Sequence, residues 1–456
     1  MKRYSRSLRA TMGDIYGLKD EKAKGRLIIL ADTLLITVFN VFITGTFYTG
    51  FLTMYGMSIT DTGILSLIPL IANLLSIFSA KILGHFKRRK GLLLWAKVIY
   101  YALYIVVITI MPQFVTDPGA RMNCFIVILF VSHGFYALFS PGITSWFYSF
   151  YPEDNERRTR FMVYNQIFAS VLSSIILIFS SVLTDALSNS PYQNQLILGF
   201  RYFAFVLVLI DVGIQTRAEE CPGLKTAHTK LKDIVTLPFR HKKFLYCMLV
   251  MFVWNFNAYL SGNLWSYHLL NHMHFSYTLI NAMAVLYTVI LLLLSTTWQR
   301  ILRRYSWIKT FGIAVLIWVP TELLFFCMTP ERSFMYVPLC IIQHILSVGI
   351  NISYANILYM NLPAEDSTIY ISFNAIGCNI FACLGMIVGT YISSITNDDT
   401  ICVFGMDVYS VQFTTICRAV IMFTMGIILI LKWRSFTPDL DIAELEHMQR
   451  IRKKYR

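Results

Sequence analysis

The sequence predicts an all-α integral membrane protein, and three observations carry that prediction. Twelve apolar stretches are each long enough to cross a bilayer, the basic residues crowd into every second connection, and the chain repeats itself at an offset of about 210 residues. A spanning helix needs roughly 20 mostly apolar residues. Helices satisfy their backbone internally inside hydrocarbon, and these stretches are too long and too uniformly apolar for barrel strands.

Spans 1 to 6 run near 27–55, 58–84, 91–112, 121–150, 160–188 and 193–215. Spans 7 to 12 follow near 243–270, 276–299, 306–329, 333–362, 366–395 and 409–432. The chain carries 39 lysines and arginines, and nearly all fall in 1–26, 87–90, 157–160, 217–243, 300–309 and from Lys432 onward, which share one side. The opposite side receives Arg121, Arg201 and Arg332, while Lys81, Lys97 and Arg418 belong to the spans themselves. The positive-inside rule then puts both termini in the cytoplasm, as an even number of spans requires. A net charge of +14 is thereby explained by topology, without a nucleic-acid partner.

The first 26 residues are basic and polar with no apolar region before span 1, so the first helix is expected to direct insertion without a cleaved signal. Nine cysteines are scattered with no C-x-x-C pair, which argues against a disulfide scaffold or a zinc site. No metal and no cofactor are expected. The resulting division is a basic N-terminal segment 1–26, a six-helix bundle 27–215, a cytoplasmic linker 216–242, a second bundle 243–434 and a basic tail 435–456. In the linker, Cys221-Pro222-Gly223 precedes a Leu231, Ile234, Leu237 pattern that predicts a short amphipathic helix. The tail from Thr437 predicts another, lying at the membrane surface.

The repeat is carried by several pairs in register. Tyr192, Gln195 and Arg201 recur as Tyr409, Gln412 and Arg418, and Arg88-Arg89 recurs as Arg303-Arg304. Phe39-Asn40 finds Trp254-Asn255, Pro152 finds Pro363, and Tyr164-Asn165 finds Phe373-Asn374. Preserved span order over the whole length implies two parallel six-helix halves, an organisation used by carriers.

With this repeat, the chain resembles the major facilitator superfamily over its whole length. The loop between spans 2 and 3, Ala80 to Lys90, is similar to that family's basic signature G-x-x-x-D-R-x-G-R-[RK] in its terminal Lys87-Arg88-Arg89-Lys90 cluster. It departs from the pattern where Gly84 replaces the aspartate and Ala80 and Lys87 replace the glycines. Ser145-Trp146, Pro152 and Arg157-Arg158 to Arg160 are similar to a W-x-x-x-x-x-P-x-x-x-R-x-R pattern of many bacterial members. The resemblance implies two pseudo-symmetric bundles around a central cavity, rocking to give alternating access, in a bacterial inner membrane. It also implies that spans 1, 4, 7 and 10 line the cavity while 3, 6, 9 and 12 support it, and that Arg88, Arg89, Arg303 and Arg304 gate the cytoplasmic side.

Polar residues fall at helical spacing on the implied lining spans. Span 1 offers Asn40, Thr44 and Tyr48; span 4 offers His133, Tyr136, Ser140 and Thr144. Span 7 offers Asn255, Asn257, Ser261 and Trp265, and span 10 offers Gln343, His344, Ser347, Asn351 and Tyr354. Asn165 and Asn374 join the set through their repeat pair. Hydroxyls can instead join helices, each such bond contributing about 0.6 kcal/mol. Burying an amide or imidazole costs several kcal/mol unless partners or cavity water satisfy it, which favours a functional reading for Asn, Gln and His. Trp254, Tyr259, Trp265 and Tyr267 offer stacking faces for a ring, or form an interfacial belt.

Asp32 and Glu322 are the acids within spans that could couple transport to protons. Asp32 is equally consistent with a water-exposed or ion-paired role, and Glu322 fits better as the structural partner of Arg418 or Arg201. His268, His272 and His274 read as solvated loop histidines rather than metal ligands, because no carboxylate or thiolate accompanies them in sequence. No G-x-x-x-x-G-K-[ST] loop supports ATP-driven transport, and the loop acids have no matched histidine spacing for a lipid-modifying enzyme. The expected function is therefore a monomeric secondary carrier of a small organic solute, neutral or zwitterionic, with protons as the expected coupling ion. Amphipathic drug efflux is the alternative, and a non-transporting protein of the same fold stands behind it.

Overall fold

The computed structural model describes Tyr16 and residues 22–86, 88–152, 155–188, 190–220, 236–363 and 367–437. Leu231 and Ile234 of the linker pattern, the Cys221-Pro222-Gly223 turn and the amphipathic tail beyond 437 lie outside the described residues.

Among the described residues twelve helices are long and apolar enough to cross a membrane. The first six are α1 (Ala23–Met54), α2 (Ile59–Gly84), α3 (Lys90–Phe114), α4 (Pro118–Tyr148), α5 (Arg160–Ala186) and α6 (Tyr192–Gln215). The second set comprises α7 (Lys242–His272), α8 (Tyr277–Leu302), α9 (Trp307–Phe326), α10 (Pro330–Met360), α11 (Ile369–Ser393) and α12 (Ser410–Leu431). These are apolar on nearly all sides, as helices facing both lipid and protein must be. Their ends follow local chemistry: Asp117 accepts from the Ala120 amide ahead of Pro118, and Ser276 accepts from Leu279.

Between α11 and α12 a short hairpin pairs β1 (Thr400–Val403) with β2 (Met406–Tyr409) antiparallel. Its turn residues Phe404 and Gly405 both have positive φ, as a two-residue primed turn requires. A phenylalanine in that position carries no turn signal, so the hairpin is not legible in the sequence.

Contacts divide the chain into two compact units, one of Met1–Gly56 with Ala72–Thr226, the other of Met57–Ile71 with Ala227–Arg456. The first half of α2 thus groups with the second unit, a division that the sequence does not foretell. Within that unit Thr60 donates to Asn397, Asn263 donates to Ser66, and Ile59 and Leu70 join the apolar cluster of Leu264, Ala382 and Met386. Unit 1 packs around Trp146, Phe161 and Leu93 of α4, α5 and α3. Unit 2 packs around Phe244, Phe311, Trp318 and Met422 of α7, α9 and α12. Because lipid offers no hydrophobic drive between helices, close approach matters most. On α11, a methyl group at Gly385 or Gly389 would fall on the Phe256 or Leu260 carbonyl of α7.

Helices α1 and α7 break at corresponding places. In α1 the backbone is extended at Thr44 and left-handed at Gly45; in α7 the helix stops at Tyr259 and resumes at Gly262, whose φ is again positive. The breaks lie 217 residues apart, the same offset that relates Arg201 to Arg418. They align Asn40 with Asn257, whereas the repeat read from the sequence pairs it with Asn255. Broken helices at matching positions of two repeats mark binding regions in carrier folds.

Candidate functional site

Unit 2 holds a half-open cavity of about 300 Å³ between α7, α9, α10 and α12. The α7 residues Trp254, Asn257, Ala258, Ser261 and Trp265 recur every three to four positions, so one face of the helix forms a wall. Trp318 of α9, Ser347, Ile350 and Asn351 of α10, and Arg418 of α12 complete it. Thus α9 and α12, expected to stand outside as supports, supply an indole and a guanidinium to the wall.

Arg418 is held on two sides. Its Nη1 donates to Ser261 Oγ at 3.1 Å, and its Nη2 lies 3.0 Å from Glu322 Oε1. Glu322 Oε1 also accepts from Trp318 Nε1 at 2.7 Å and from Gln343 at 3.3 Å, and Gln343 donates to Thr321 as well. Of the two arginines the sequence offers as its partner, Glu322 takes Arg418. Asn257 is fully buried, and among the described residues neither its Nδ2 nor its Oδ1 has a hydrogen-bond partner, while Arg418 Nε and, behind the wall, Glu322 Oε2 are each one unpartnered atom of a group bonded elsewhere.

Six residues singled out in the sequence therefore meet at this cavity: Trp254, Asn257, Ser261, Trp265, Ser347 and Asn351, the last donating to Tyr287 at 2.8 Å. Others of unit 2 do not. Asn255 turns away to donate to Met251 O and to Tyr354 Oη. Gln343 serves Glu322, His344 packs beside Tyr287, and Asn374 is buried beside Cys378, which donates to it.

The unit 1 residues form a different assembly. Tyr136 stacks on Tyr100 at 4.3 Å, Tyr104 also stacks on Tyr100, and His133 meets Tyr100 Oη at 3.4 Å. Tyr48 packs in the same aromatic group near Arg201. Arg201 is fully buried, lies 4.1 Å from the Phe51 ring, and donates to Thr109 and to the Tyr104 carbonyl. That carbonyl is available because α3 widens into a π turn over Ala102–Val107. Asn40 is half-buried and its carbonyl accepts from Thr44, which is exposed. Ser140 gives its carbonyl to Thr144, and Asn165 accepts from Tyr16 at 2.9 Å. Burial pushes the Tyr16 phenol up to about 12, against the lowering effect of Arg26.

Asp32 is buried in an ion cluster. Lys97 Nζ of α3 lies 2.7 Å from Asp32 of α1 and 2.5 Å from Asp211 of α6, and Gln215 donates to both carboxylates. Sequence alone places Lys97 in a span without a partner and gives Asp211 no role. An acid and an amide four apart near the end of span 6, with a lysine in span 3, are the available signal.

Two further expectations are corrected by burial. His268 and His272 are buried rather than solvated, because the last turn of α7 widens into a π turn over His268–His272. Their Nδ1 atoms are 3.0 Å apart, His272 Nε2 meets Asp398 at 2.9 Å, and Tyr409 stacks on the His272 ring. His274 is exposed, as expected. Among the described residues no group of three His, Cys, Asp or Glu side chains is arranged to hold a metal. Of the loop arginines, Arg88 is exposed, whereas Arg89 is buried with its Nε on Phe86 O and its amide on Glu220. Arg303 and Arg304 end the helix that α8 belongs to, Tyr277–Arg304, and their side chains lie outside the described part.

No family model matches the sequence. No curated protein matches it either. Solved structures match its fold. A bacterial homologue of the iron transporter ferroportin, in an inward-facing state, superposes with a TM-score of 0.67 at 13% identity, covering 90% of this chain and 98% of that one. The D-xylose-proton symporter gives 0.60 at 12%, covering 91% and 98%. The nucleoside transporter NupG gives 0.59 at 13%, covering 90% and 98%. The fold is the twelve-helix major facilitator fold, and the chain is a multi-pass membrane protein.

Proposed function

We propose that this protein is a secondary active transporter of a small, uncharged organic solute, working by alternating access with protons as the coupling ion. The observation that carries the reading is Asn257: a fully buried carboxamide with both atoms unpartnered, in the wall of a cavity. Leaving such groups unpaired costs about 1–3 kcal/mol each, a cost that a ligand presenting a donor and an acceptor would remove. Trp254, Trp265 and Trp318 add faces for a ring, and a sugar or nucleoside carries both kinds of group. The cavity volume, about 300 Å³, lies at the small end of ligand sites, which suits one or two rings. Because the buried Glu322, behind the wall, balances Arg418 in it, the site has among the described residues no surplus charge with which to select an ion.

Two of the fold's solved examples carry D-xylose with a proton or a nucleoside, which is consistent with such a solute. The unit 1 residues Tyr48, His133 and Tyr136 remain a second polar surface for the solute. Of the two acids considered for coupling, Glu322 is neutralised one for one, so the cluster that contains Asp32 is the better coupling site. The protein would act as a monomer in a bacterial cytoplasmic membrane with both termini inside.

The test is thermal stabilisation of the detergent-solubilised protein against sugars, nucleosides, amino acids, peptides and amphipathic cations, followed by flux in proteoliposomes. A ligand at 100 times its dissociation constant adds about 2.7 kcal/mol. A saturable shift with a sugar or nucleoside, and its flux, supports the reading. Shifts with amphipathic cations alone would replace it with drug efflux, and no shift or flux with any class would overturn transport.

A further inference from the structure

The Asp32, Lys97, Asp211 cluster has an odd charge balance. Two carboxylates face one ammonium, all three residues are at most 4% exposed, and Gln215, the fourth member, contributes no charge. Among the described residues, the other titratable groups facing the cluster are the phenols of Tyr101 on α3, Tyr136 on α4 and Tyr151 at the α4–α5 connection, none of which supplies a positive charge. An uncompensated buried carboxylate costs several kcal/mol, and such a group takes up a proton instead.

The hydrogen bonds show where that proton fits. Asp32 Oδ1 accepts from both Lys97 and Gln215, and Asp211 Oδ2 accepts from Gln215 and faces Lys97. Among the described residues Asp211 Oδ1 has no partner, nor has Gln215 Oε1 one turn further along α6. A carboxylate oxygen can only accept, and so can the amide oxygen, so two orphaned acceptors sit in one buried cluster. A proton on Asp211 Oδ1 converts that atom into a donor and cancels the surplus charge in one step.

We propose that the cluster is a one-proton site, with the exchangeable proton on Asp211 Oδ1 and Lys97 as the counter-ion shared by both carboxylates. Loading turns the Asp211 carboxylate into a carboxylic acid and leaves a neutral Lys97–Asp32 pair. Release restores the carboxylate, and the Lys97 ammonium is then shared between two anions, which weakens its hold on Asp32 of α1. Asp211 is thus the proton carrier, while Lys97 and Gln215 are positioning residues. The coupling role of this proton rests on the transport reading, whereas its presence does not.

Infrared difference spectroscopy of the purified protein in H2O and D2O separates the two. The expected result is a carboxylic acid C=O band that shifts on deuteration and disappears in Asp211→Asn, a variant that mimics the protonated acid and should fold. In Lys97→Met the band should grow, because two carboxylates without a cation hold a proton more firmly; if that variant fails to fold, the Asp211→Asn comparison stands alone. Absence of a deuterium-sensitive acid band, its survival in Asp211→Asn, or its loss only in Asp32→Asn would overturn the proposal. Failure of the transport reading would look different: the band present, with no solute carried.

Discussion

Asn255 and Asn257 stand two residues apart on α7 and meet opposite surroundings. Asn255 donates to Met251 O and Tyr354 Oη, whereas Asn257 is buried at the cavity with no partner among the described residues for either side-chain atom. Asn257→Leu is therefore expected to raise the melting temperature of the ligand-free protein, because orphaned polar atoms costing about 1–3 kcal/mol are removed. The same change should weaken solute binding tenfold or more, about 1.4 kcal/mol. Asn255→Leu should lower stability and leave solute affinity nearly unchanged. Thermal unfolding with and without solute reads both, and a destabilised Asn257→Leu protein would contradict the assignment.

The charge balance around Lys97 predicts an asymmetry between its neighbours. Lys97→Met leaves Asp32 and Asp211 buried without a cation, and removing one partner of a buried pair costs about 3–5 kcal/mol. Asp211→Asn keeps one balanced pair and should cost about 1 kcal/mol. Chemical or thermal denaturation of the two variants, side by side, checks the ordering.

Glu322 and Arg418 should behave as a structural unit. Glu322→Gln strands the guanidinium at the cavity wall and is expected to reduce stability by about 3 kcal/mol while proton dependence of transport persists. Pairing it with Arg418→Met should restore most of that loss. Loss of proton coupling in Glu322→Gln, measured as accumulation against counterflow, would transfer the coupling role to this acid.

The two helix breaks give a paired prediction. Gly45→Ala meets open space and suffers only from the left-handed backbone, about 1–2 kcal/mol. Gly262→Ala carries a similar cost and also brings its methyl to 2.7 Å from Met386 Cε, so it should be the more damaging of the two. Melting temperatures of both variants decide it.

Much of the fold was legible because lipid permits few solutions. Apolar runs such as Ile105 to Met111 and Ile427 to Leu431, set within spans of about 20 residues, have no soluble alternative at that length, and the register of Arg201 with Arg418 exposed the repeat. The site was legible in part. Asn257, Ser261 and Trp265 share a helical face that periodicity reveals, but Asn255 and Asn257 look equivalent until their neighbours are known. Asp211 escaped notice because an acid near a span end reads as interfacial, and only the packing of α6 against α1 and α3 brings it to Lys97.

By itself the sequence determined the class of molecule: the apolar spans and their number follow from the energetics of a chain in hydrocarbon. The tertiary structure alone decided which polar groups are satisfied. It gave Glu322 to Arg418, shared Lys97 between Asp32 and Asp211, buried His268 and His272, and left Asn257 without a partner. The physical reason is that burial fixes a polar group's cost, while its relief depends on atoms far away in the chain, whose positions only the packed helices define.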